Sequence, residues 1–199
     1  MKKAPQCNAA VWSAIRRGSA TVALAVLMAL GFPAAASAGQ DPGLRLGYYA
    51  GEDADDAVPT IGVFTRFDIP GPLNLEVSAD YRRETLLDGD IEAMVIPLRV
   101  SALFNFLPGL SPYLVAGAGA EYVDLDFRNE LAGFSDESDL VFEVHAGAGI
   151  EIGLGPASLG ADLRYCRATA ISGDELNAAL GHDYDPSGWT ASLTLGFSF

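Results

Sequence analysis

Lysine is almost absent from this 199-residue chain, since Lys2 and Lys3 at the extreme N-terminus are the only two. Cysteine is equally scarce, with Cys7 and Cys166 alone. Two cysteines this far apart support neither a disulfide framework nor a cysteine-based metal cluster. Beyond the N-terminal region there is no run of about 18 apolar residues, which excludes a membrane-spanning helix from the body of the chain.

The N-terminal region has the composition of an export signal. Basic residues without any acidic ones precede the apolar segment 21–32, which is too short for an ordinary spanning helix. Small residues follow and end in Ala-Ser-Ala, a pattern typical of a signal-peptidase site. The sequence therefore predicts a cleaved signal peptide, residues 1–38, with the cut between Ala38 and Gly39. The mature domain is then 39–199, and a retained membrane anchor is the alternative.

The mature domain is strongly acidic. The signal segment holds four of the twelve basic residues and none of the 26 acidic ones, which leaves eight basic against 26 acidic residues and a net charge of −18. A domain with this charge repels polyanions, so we expect no nucleic-acid partner. The sequence also predicts no cofactor.

Apolar and polar side chains alternate along eight segments of the mature domain. The clearest is 189–199, where the odd positions are Trp, Ala, Leu, Leu, Phe and Phe and the even ones are small or polar. Because successive side chains of a strand point to opposite faces, each segment predicts a β-strand with one apolar face. The segments are 44–51, 60–68, 73–82, 94–106, 111–127, 140–154, 157–167 and 189–199. The alternation slips near Val123, which predicts a bulge there or the point where the strand leaves a membrane.

The connections between these segments alternate in length. Tight Pro/Gly turns lie at 69–72, 107–110 and 155–156, whereas longer acidic connections lie at 52–58, 84–91, 128–139 and 168–187. The segments are close to the roughly 9–11 residues that a tilted membrane strand needs. Short turns at one end and long loops at the other are typical of a bacterial outer-membrane barrel with both termini in the periplasm.

Aromatic residues of the apolar faces concentrate at the two ends of the segments, as two membrane interfaces favour. At the loop ends these residues are Tyr48, Tyr81, Tyr122, Phe142, Tyr165 and Trp189; at the turn ends they are Phe67, Phe104, Phe106, Phe197 and Phe199. We predict an all-β fold, an eight-stranded antiparallel up-and-down transmembrane β-barrel. A soluble β-sandwich also alternates, but it gives no reason for two aromatic belts on one face.

The polar faces predict a charged interior. An eight-stranded barrel has room for side chains and little else, and an unpaired buried charge is costly, so opposite charges are expected to pair. The predicted network is Arg45, Arg66, Glu76, Asp80, Arg82, Arg99, Glu121, Glu143, His145, Glu151, Asp162 and Arg164, with Asp68 on the same face. This pattern favours a plugged, structural barrel, and a narrow channel for small or hydrophobic solutes is the first alternative.

Catalysis has little support in the sequence. A lipid A-modifying enzyme needs a nucleophile and a base at the membrane surface, whereas His145 is predicted to face the lumen and no hydroxyl residue stands beside it. We therefore expect a non-enzymatic protein. The acidic loops offer oxygen ligands for Ca²⁺ or Mg²⁺ that could bridge to lipopolysaccharide phosphates, although solvated loops are the simpler interpretation. A surface adhesin acting through these loops is a further alternative.

The features quoted above resemble the small outer-membrane β-barrel superfamily, which includes the OmpA membrane domain, OmpX and OmpW-like proteins. The most specific element is the C-terminal pattern of Leu193, Leu195, Phe197 and Phe199. In that family a terminal phenylalanine after alternating apolar residues is the signal read by the barrel assembly machinery. The resemblance implies an outer-membrane location, with membrane lipid and lipopolysaccharide as partners, and a monomer is expected.

Overall fold

The computed structural model describes residues 40–87, 90–106, 110–127, 137–171, 181 and 183–198. Eight strands form: β1 (Gln40–Gly51), β2 (Val58–Asp68), β3 (Leu73–Leu86), β4 (Ile91–Asn105), β5 (Leu110–Phe127), β6 (Glu137–Gly153), β7 (Ala157–Ala168) and β8 (Gly188–Phe197). Each strand is antiparallel to the next, and β1 pairs with β8, so the sheet closes into a barrel in chain order. The predicted eight-stranded up-and-down barrel is confirmed. The predicted signal peptide with its Ala38–Gly39 cleavage site, His182 and Phe199 lie outside the described residues.

The two ends of the barrel differ in their connections. At the turn end, where β1 begins and β8 ends, the turn between β2 and β3 contains Gly71 with φ 106°. The turn between β6 and β7 contains Gly155 with φ 75°. Both backbones lie in the left-handed region that favours glycine, which explains the Pro/Gly composition of these turns. The opposite end, called the loop end, carries the longer connections of β1 to β2, β5 to β6 and β7 to β8, whereas only 87–90 join β3 to β4.

The outside of the barrel is an apolar band. Alternate side chains point outward, and among them Leu46, Leu193 and Phe142 are 58%, 63% and 69% exposed in the isolated chain. The two aromatic belts lie on this surface. Near the loop end the ring centroids of Tyr165 and Trp189 are 5.1 Å apart. Near the turn end the ring centroids of Phe104 and Phe106 are 5.2 Å apart. Within the described part of the chain, no helix is long and apolar enough to span a membrane.

Two expectations about strand ends are wrong. The predicted loop 84–91 is shorter than expected, since β3 continues to Leu86 and this residue pairs with Ile91 of β4, which leaves only 87–90 as the connection. The bulge predicted near Val123 is also absent, because Val123 lies opposite Val95 and the pairing of β5 continues without interruption to Phe127. The alternative, that the strand leaves the membrane there, stays a prediction. The direction of the side chains keeps alternating there; only their polarity changes.

That change of polarity divides the barrel into two zones. Towards the loop end of β3–β6, the inward side chains become apolar and fully buried, and the outward ones become polar. The inward set is Leu86, Ile91, Ala93, Val95, Val123, Leu125, Phe127 and Val141, joined by Ala168, Ile171 and Tyr184. Outward, Arg83 and Glu92 form an ion pair at 2.7 Å. A wall with water outside needs this arrangement, because each buried Leu, Ile, Val or Phe contributes about 1.5–3 kcal/mol. This cluster is called the upper core below.

Candidate functional site

The lumen below the upper core is filled by charged side chains from seven strands. These residues stand at the alternate positions of each strand that point inward. All of them are buried except Glu151, which is half-buried near the turn end. Asp68 also lies on this face, but it is exposed at the end of β2. The residues are Arg45 (β1), Arg66 (β2), Glu76, Asp80 and Arg82 (β3), Arg99 (β4), Glu121 (β5), Glu143, His145 and Glu151 (β6), and Asp162 and Arg164 (β7).

Near the turn end, three arginines surround one carboxylate. Glu76 accepts hydrogen bonds from Arg45 Nη2 at 2.5 Å, from Arg66 Nε at 2.8 Å and from Arg164 Nη2 at 3.1 Å. Arg66 also pairs with Glu151, and Arg164 pairs with its strand neighbour Asp162 at 2.8 Å. The three cations are therefore balanced by three carboxylates, which a poorly solvated interior requires.

Midway along the lumen, Arg99 connects two groups of carboxylates. Its Nη1 contacts Asp80 at 3.2 Å, and Asp80 also contacts Arg45 at 3.4 Å. Its Nη2 donates to Glu121 at 3.1 Å and to Glu143 at 2.8 Å. Arg99 thus links the cluster around Glu76 to the loop-end half of the network.

In the half of the luminal network nearer the loop end, arginines and carboxylates again alternate. Arg82 donates to Glu121 through Nη2 at 3.0 Å and to Glu84 through Nε at 2.5 Å. Its guanidinium carbon also lies 3.9 Å from the ring centroid of Tyr49, a cation–π contact. Ion pairs therefore run without a break from Glu151 near one end of the lumen to Glu84 near the other.

Aromatic side chains fill the space left by inward-facing glycines. The ring of Phe64 lies against Gly43, where an added Cβ would come within 2.2 Å of it, and Arg66 lies over the same ring at 4.7 Å. Tyr113 lies against Gly149 in the same way, and its hydroxyl donates to Asp162 at 3.1 Å. These pairs explain why Phe64 stands among the inward, mostly polar positions of its strand. They also explain why the inward positions of neighbouring strands are rich in glycine.

The last connection is tied into the loop end of the lumen. Ile171 and Tyr184 form a β-bridge inside the upper core, and Tyr184 Oη donates to Glu84 at 3.0 Å. The hydroxyl of Tyr49 donates to the carbonyl of Pro186 at 2.5 Å. Burial and the nearby charge of Glu84 raise the pKa of Tyr184 well above its usual value. The described part of this connection therefore packs against the loop end of the charged network.

One constellation in the lumen has the residue types of a nucleophilic triad. Ser101 Oγ lies 2.8 Å from His145 Nε2, and Glu143 Oε1 lies 3.4 Å from His145 Nδ1. The proximity of Ser101 and His145 was not predicted, because they stand on different strands. All three residues are at least 96% buried, so no substrate reaches them unless the lumen opens.

Other parts of the network were also missed by sequence reasoning. Glu84 had been placed in a loop, although it keeps the inward parity of Arg82 and a longer strand would have included it. Tyr49 and Tyr184 gave no signal, since their partners are distant in the chain. Among the described residues there is no group of three or more His, Cys, Asp or Glu side chains suited to a metal ion, and Cys166 is a buried free thiol.

Comparison with known proteins gives one family. The model of a family described as an outer membrane protein beta-barrel domain matches residues 22–199. No curated protein matches the chain. A major outer membrane protein from Thermus thermophilus superposes with a TM-score of 0.61 at 11% identity, over 82% of this chain and 100% of that one. OprG from Pseudomonas aeruginosa superposes with a TM-score of 0.60 at 13% identity, over 81% of this chain and 96% of that one. Neisserial surface protein A superposes with a TM-score of 0.56 at 15% identity, over 80% of this chain and 96% of that one. At these identities the likeness concerns the fold alone.

Proposed function

Because the chain belongs to the family of outer membrane β-barrel domains, we propose that it is a non-enzymatic structural barrel of the outer membrane with a plugged lumen. The observation that carries the proposal is the unbroken series of ion pairs from Glu151 to Glu84. A small barrel has little interior space beyond its side chains, and these side chains are held by one another. The upper core and Tyr184 then cover the loop end of the series.

The proposal includes an orientation and partners. The long loops face the exterior, and both termini face the periplasm, as is usual for bacterial barrels. The apolar band contacts outer-membrane lipid and lipopolysaccharide. Leu195, Phe197 and Phe199 serve as the signal for the barrel assembly machinery during biogenesis. The barrel functions as a monomer, without a nucleic-acid partner, a cofactor or a metal.

Three other functions fit the geometry less well. For a narrow channel to conduct, the ion pairs that Arg99 and Arg82 form with the luminal carboxylates must break. Each broken pair leaves a buried charge without its partner, which is costly. An adhesin acting through the last loop needs that loop free, whereas residues 184–187 are bonded to β1, β3 and β7. A lipid A-modifying enzyme needs its nucleophile near the membrane surface, whereas Ser101 lies inside the barrel.

Osmotic swelling of liposomes tests the proposal. Folded protein, recognised by a heat-dependent shift in gel mobility, is reconstituted and exposed to an isotonic small sugar. We expect swelling no faster than in empty liposomes, with a general porin as the positive control. Swelling that increases with the amount of folded protein would favour the channel and overturn the plugged lumen.

A further inference from the structure

A furrow of about 510 Å³ crosses the outer surface of the barrel over β2, β1, β8 and β7. Its floor is the backbone of four residues that lie side by side in the pairing of these strands and point their side chains inward: Thr60, Gly47, Ser192 and Asp162. Two rows of outward side chains form its walls. The wall nearer the loop end is Pro59, Tyr48 and Ala191, and the wall nearer the turn end is Leu46, Leu193 and Ala161.

Two alanines open this furrow in a surface of larger side chains. Ala191 stands between Tyr48 and Leu163 in the row that crosses β1, β8 and β7, and Ala161 stands beside Leu193 in the next row. The three larger residues are exposed in the isolated chain, so the alanines leave a depression between them. Its walls are apolar and its volume lies in the range of small-molecule sites, which fits a hydrocarbon chain.

The furrow lies in the loop-end half of the apolar band. Along β8 the outward residues run from Trp189 in the loop-end belt to Phe197 in the turn-end belt, and the furrow crosses between Ala191 and Leu193, closer to Trp189. With the loops facing the exterior, as proposed above, this half of the band faces the outer leaflet. The lipid of that leaflet is lipid A, a glycolipid that carries phosphates and several acyl chains.

An exposed arginine stands above the furrow. Among the arginines that the structure describes, Arg83 and Arg167 point outward. Arg83 holds Glu92 at 2.7 Å, whereas the ion pair of Arg167 with Asp185 is long, at 3.9 Å, and the Arg167 side chain is 62% exposed. Arg167 stands two residues beyond Tyr165 of the loop-end belt. A guanidinium group at this level matches the phosphate of an outer-leaflet lipid in charge and geometry.

The carboxylates at the same rim are held by donors of the protein. Glu52 accepts a hydrogen bond from Tyr165 Oη at 2.6 Å, and Asp185 accepts one from the Ser187 amide at 3.0 Å. Their negative charge still weakens the attraction between Arg167 and a phosphate. The apolar furrow, rather than the charge, therefore supplies most of the expected affinity.

We propose that this furrow binds one acyl chain of a lipid A molecule, whose phosphate contacts Arg167. The proposal rests on the membrane orientation proposed above, but not on a sealed lumen, so a conducting barrel would leave it standing. A chain that is not a membrane barrel would fail earlier, because it would show no heat-dependent gel shift in vesicles.

Quenching of tryptophan fluorescence tests the proposal, because Trp189 is the only tryptophan outside the predicted signal peptide and stands two residues from Ala191. The folded barrel is placed in vesicles of a phospholipid with brominated acyl chains, which quench Trp189, and unbrominated lipid A is added. We expect the fluorescence to recover at a small molar excess of lipid A over barrel. Unbrominated phosphatidylglycerol, which also carries a phosphate, should restore it only in proportion to its share of the bulk lipid. Recovery no greater with lipid A than with phosphatidylglycerol would overturn the proposal.

The substitution Ala191→Leu fills the furrow from its own wall. We expect it to need about tenfold more lipid A for the same recovery, the effect of about two lost methylene contacts. Ala118→Leu, at an exposed outward position of β5, is the matched control and should behave like the wild type. Equal recovery in the two folded variants would show that lipid A binds elsewhere, which would overturn the proposal.

The substitution Arg167→Gln tests the contact with the phosphate. The wild type should bind lipid A up to about fivefold more tightly than lipid A without its phosphates, as an exposed ion pair allows. The variant should bind both lipids equally. A variant that still prefers the phosphorylated lipid would overturn the assignment of Arg167.

Discussion

Tyr184 Oη donates a hydrogen bond to Glu84 Oε2 at 3.0 Å, which joins two residues that stand 100 positions apart in the chain. Glu84 is in turn held by Arg82 at 2.5 Å, the last arginine of the luminal series. The last connection of the barrel is therefore fastened to the loop-end member of the ion-pair network. The upper core around Tyr184 is thus joined directly to the charged network below it.

Replacing Tyr184 by phenylalanine should loosen the closed end of the barrel. A hydrogen bond to a charged partner contributes about 1.5–3 kcal/mol, and the substitution leaves the buried Glu84 carboxylate with one donor fewer. We expect a lower free energy of unfolding and faster hydrogen exchange of the Ile171 amide, which bonds to the Tyr184 carbonyl at 2.9 Å. Tyr48→Phe, in the exposed belt, is the control. Equal losses in the two variants would contradict the role assigned to Tyr184.

The stability of the same contact should depend on alkaline pH. The pKa of Tyr184 is raised in the folded protein by burial, so its neutral form is favoured relative to the unfolded chain. The contribution of this contact is fully present below about pH 10, the usual tyrosine value, and it is lost as pH rises above that value. Absorbance titration near 295 nm should show one more late-ionising tyrosine in the wild type than in Tyr184→Phe. Identical titration curves would contradict this assignment.

Removal of the central arginine should be far more damaging than removal of a surface arginine. Arg99→Met leaves Asp80, Glu121 and Glu143 without a shared cation, and breaking a buried pair costs about 3–5 kcal/mol. Arg83→Met removes an exposed ion pair with Glu92, which is worth about 1 kcal/mol or less. Urea unfolding of both variants in lipid vesicles measures the difference. Similar losses in the two variants would show that the luminal network adds little stability.

Glycine should be required on the inward face of β6 where an aromatic ring occupies its Cβ position. In Gly149→Ala the new Cβ would lie 2.4 Å from the Tyr113 ring, and overpacking of this kind costs about 1–3 kcal/mol. Gly153→Ala, on the same face of β6, meets nothing within 4 Å and should be neutral. Thermal gel-shift curves compare the two variants. Adding Tyr113→Leu should partly rescue Gly149→Ala; no rescue would mean that the strain comes from the neighbouring backbone.

The sequence predicted the barrel and its inward faces well, because alternation is a local property that membrane strands must keep. Arg45, Glu76 and Arg99 were placed inside by parity alone. The pairing of these charges was not predictable, since Arg45 and Glu76 meet across the lumen from β1 and β3. Prediction failed above the apolar band, where Val123 and Leu86 face inward as apolar residues. The break in the pattern near Val123 had two interpretations; the continuous pairing of β5 excludes a bulge, and the inverted polarity of the side chains fits a strand that leaves the membrane.

Planar-bilayer recording tests the central claim, a lumen sealed by its own side chains. The folded wild-type protein should give no conductance steps at moderate voltage, because the series from Glu151 to Glu84 and the upper core leave no open path. The double variant Arg99→Ala with Glu121→Ala shortens two central side chains but leaves the upper core in place, so it too should give no steps, and a general porin in the same bilayers is the positive control. Frequent steps from the wild type, in proportion to the amount of folded protein, would contradict the sealed lumen.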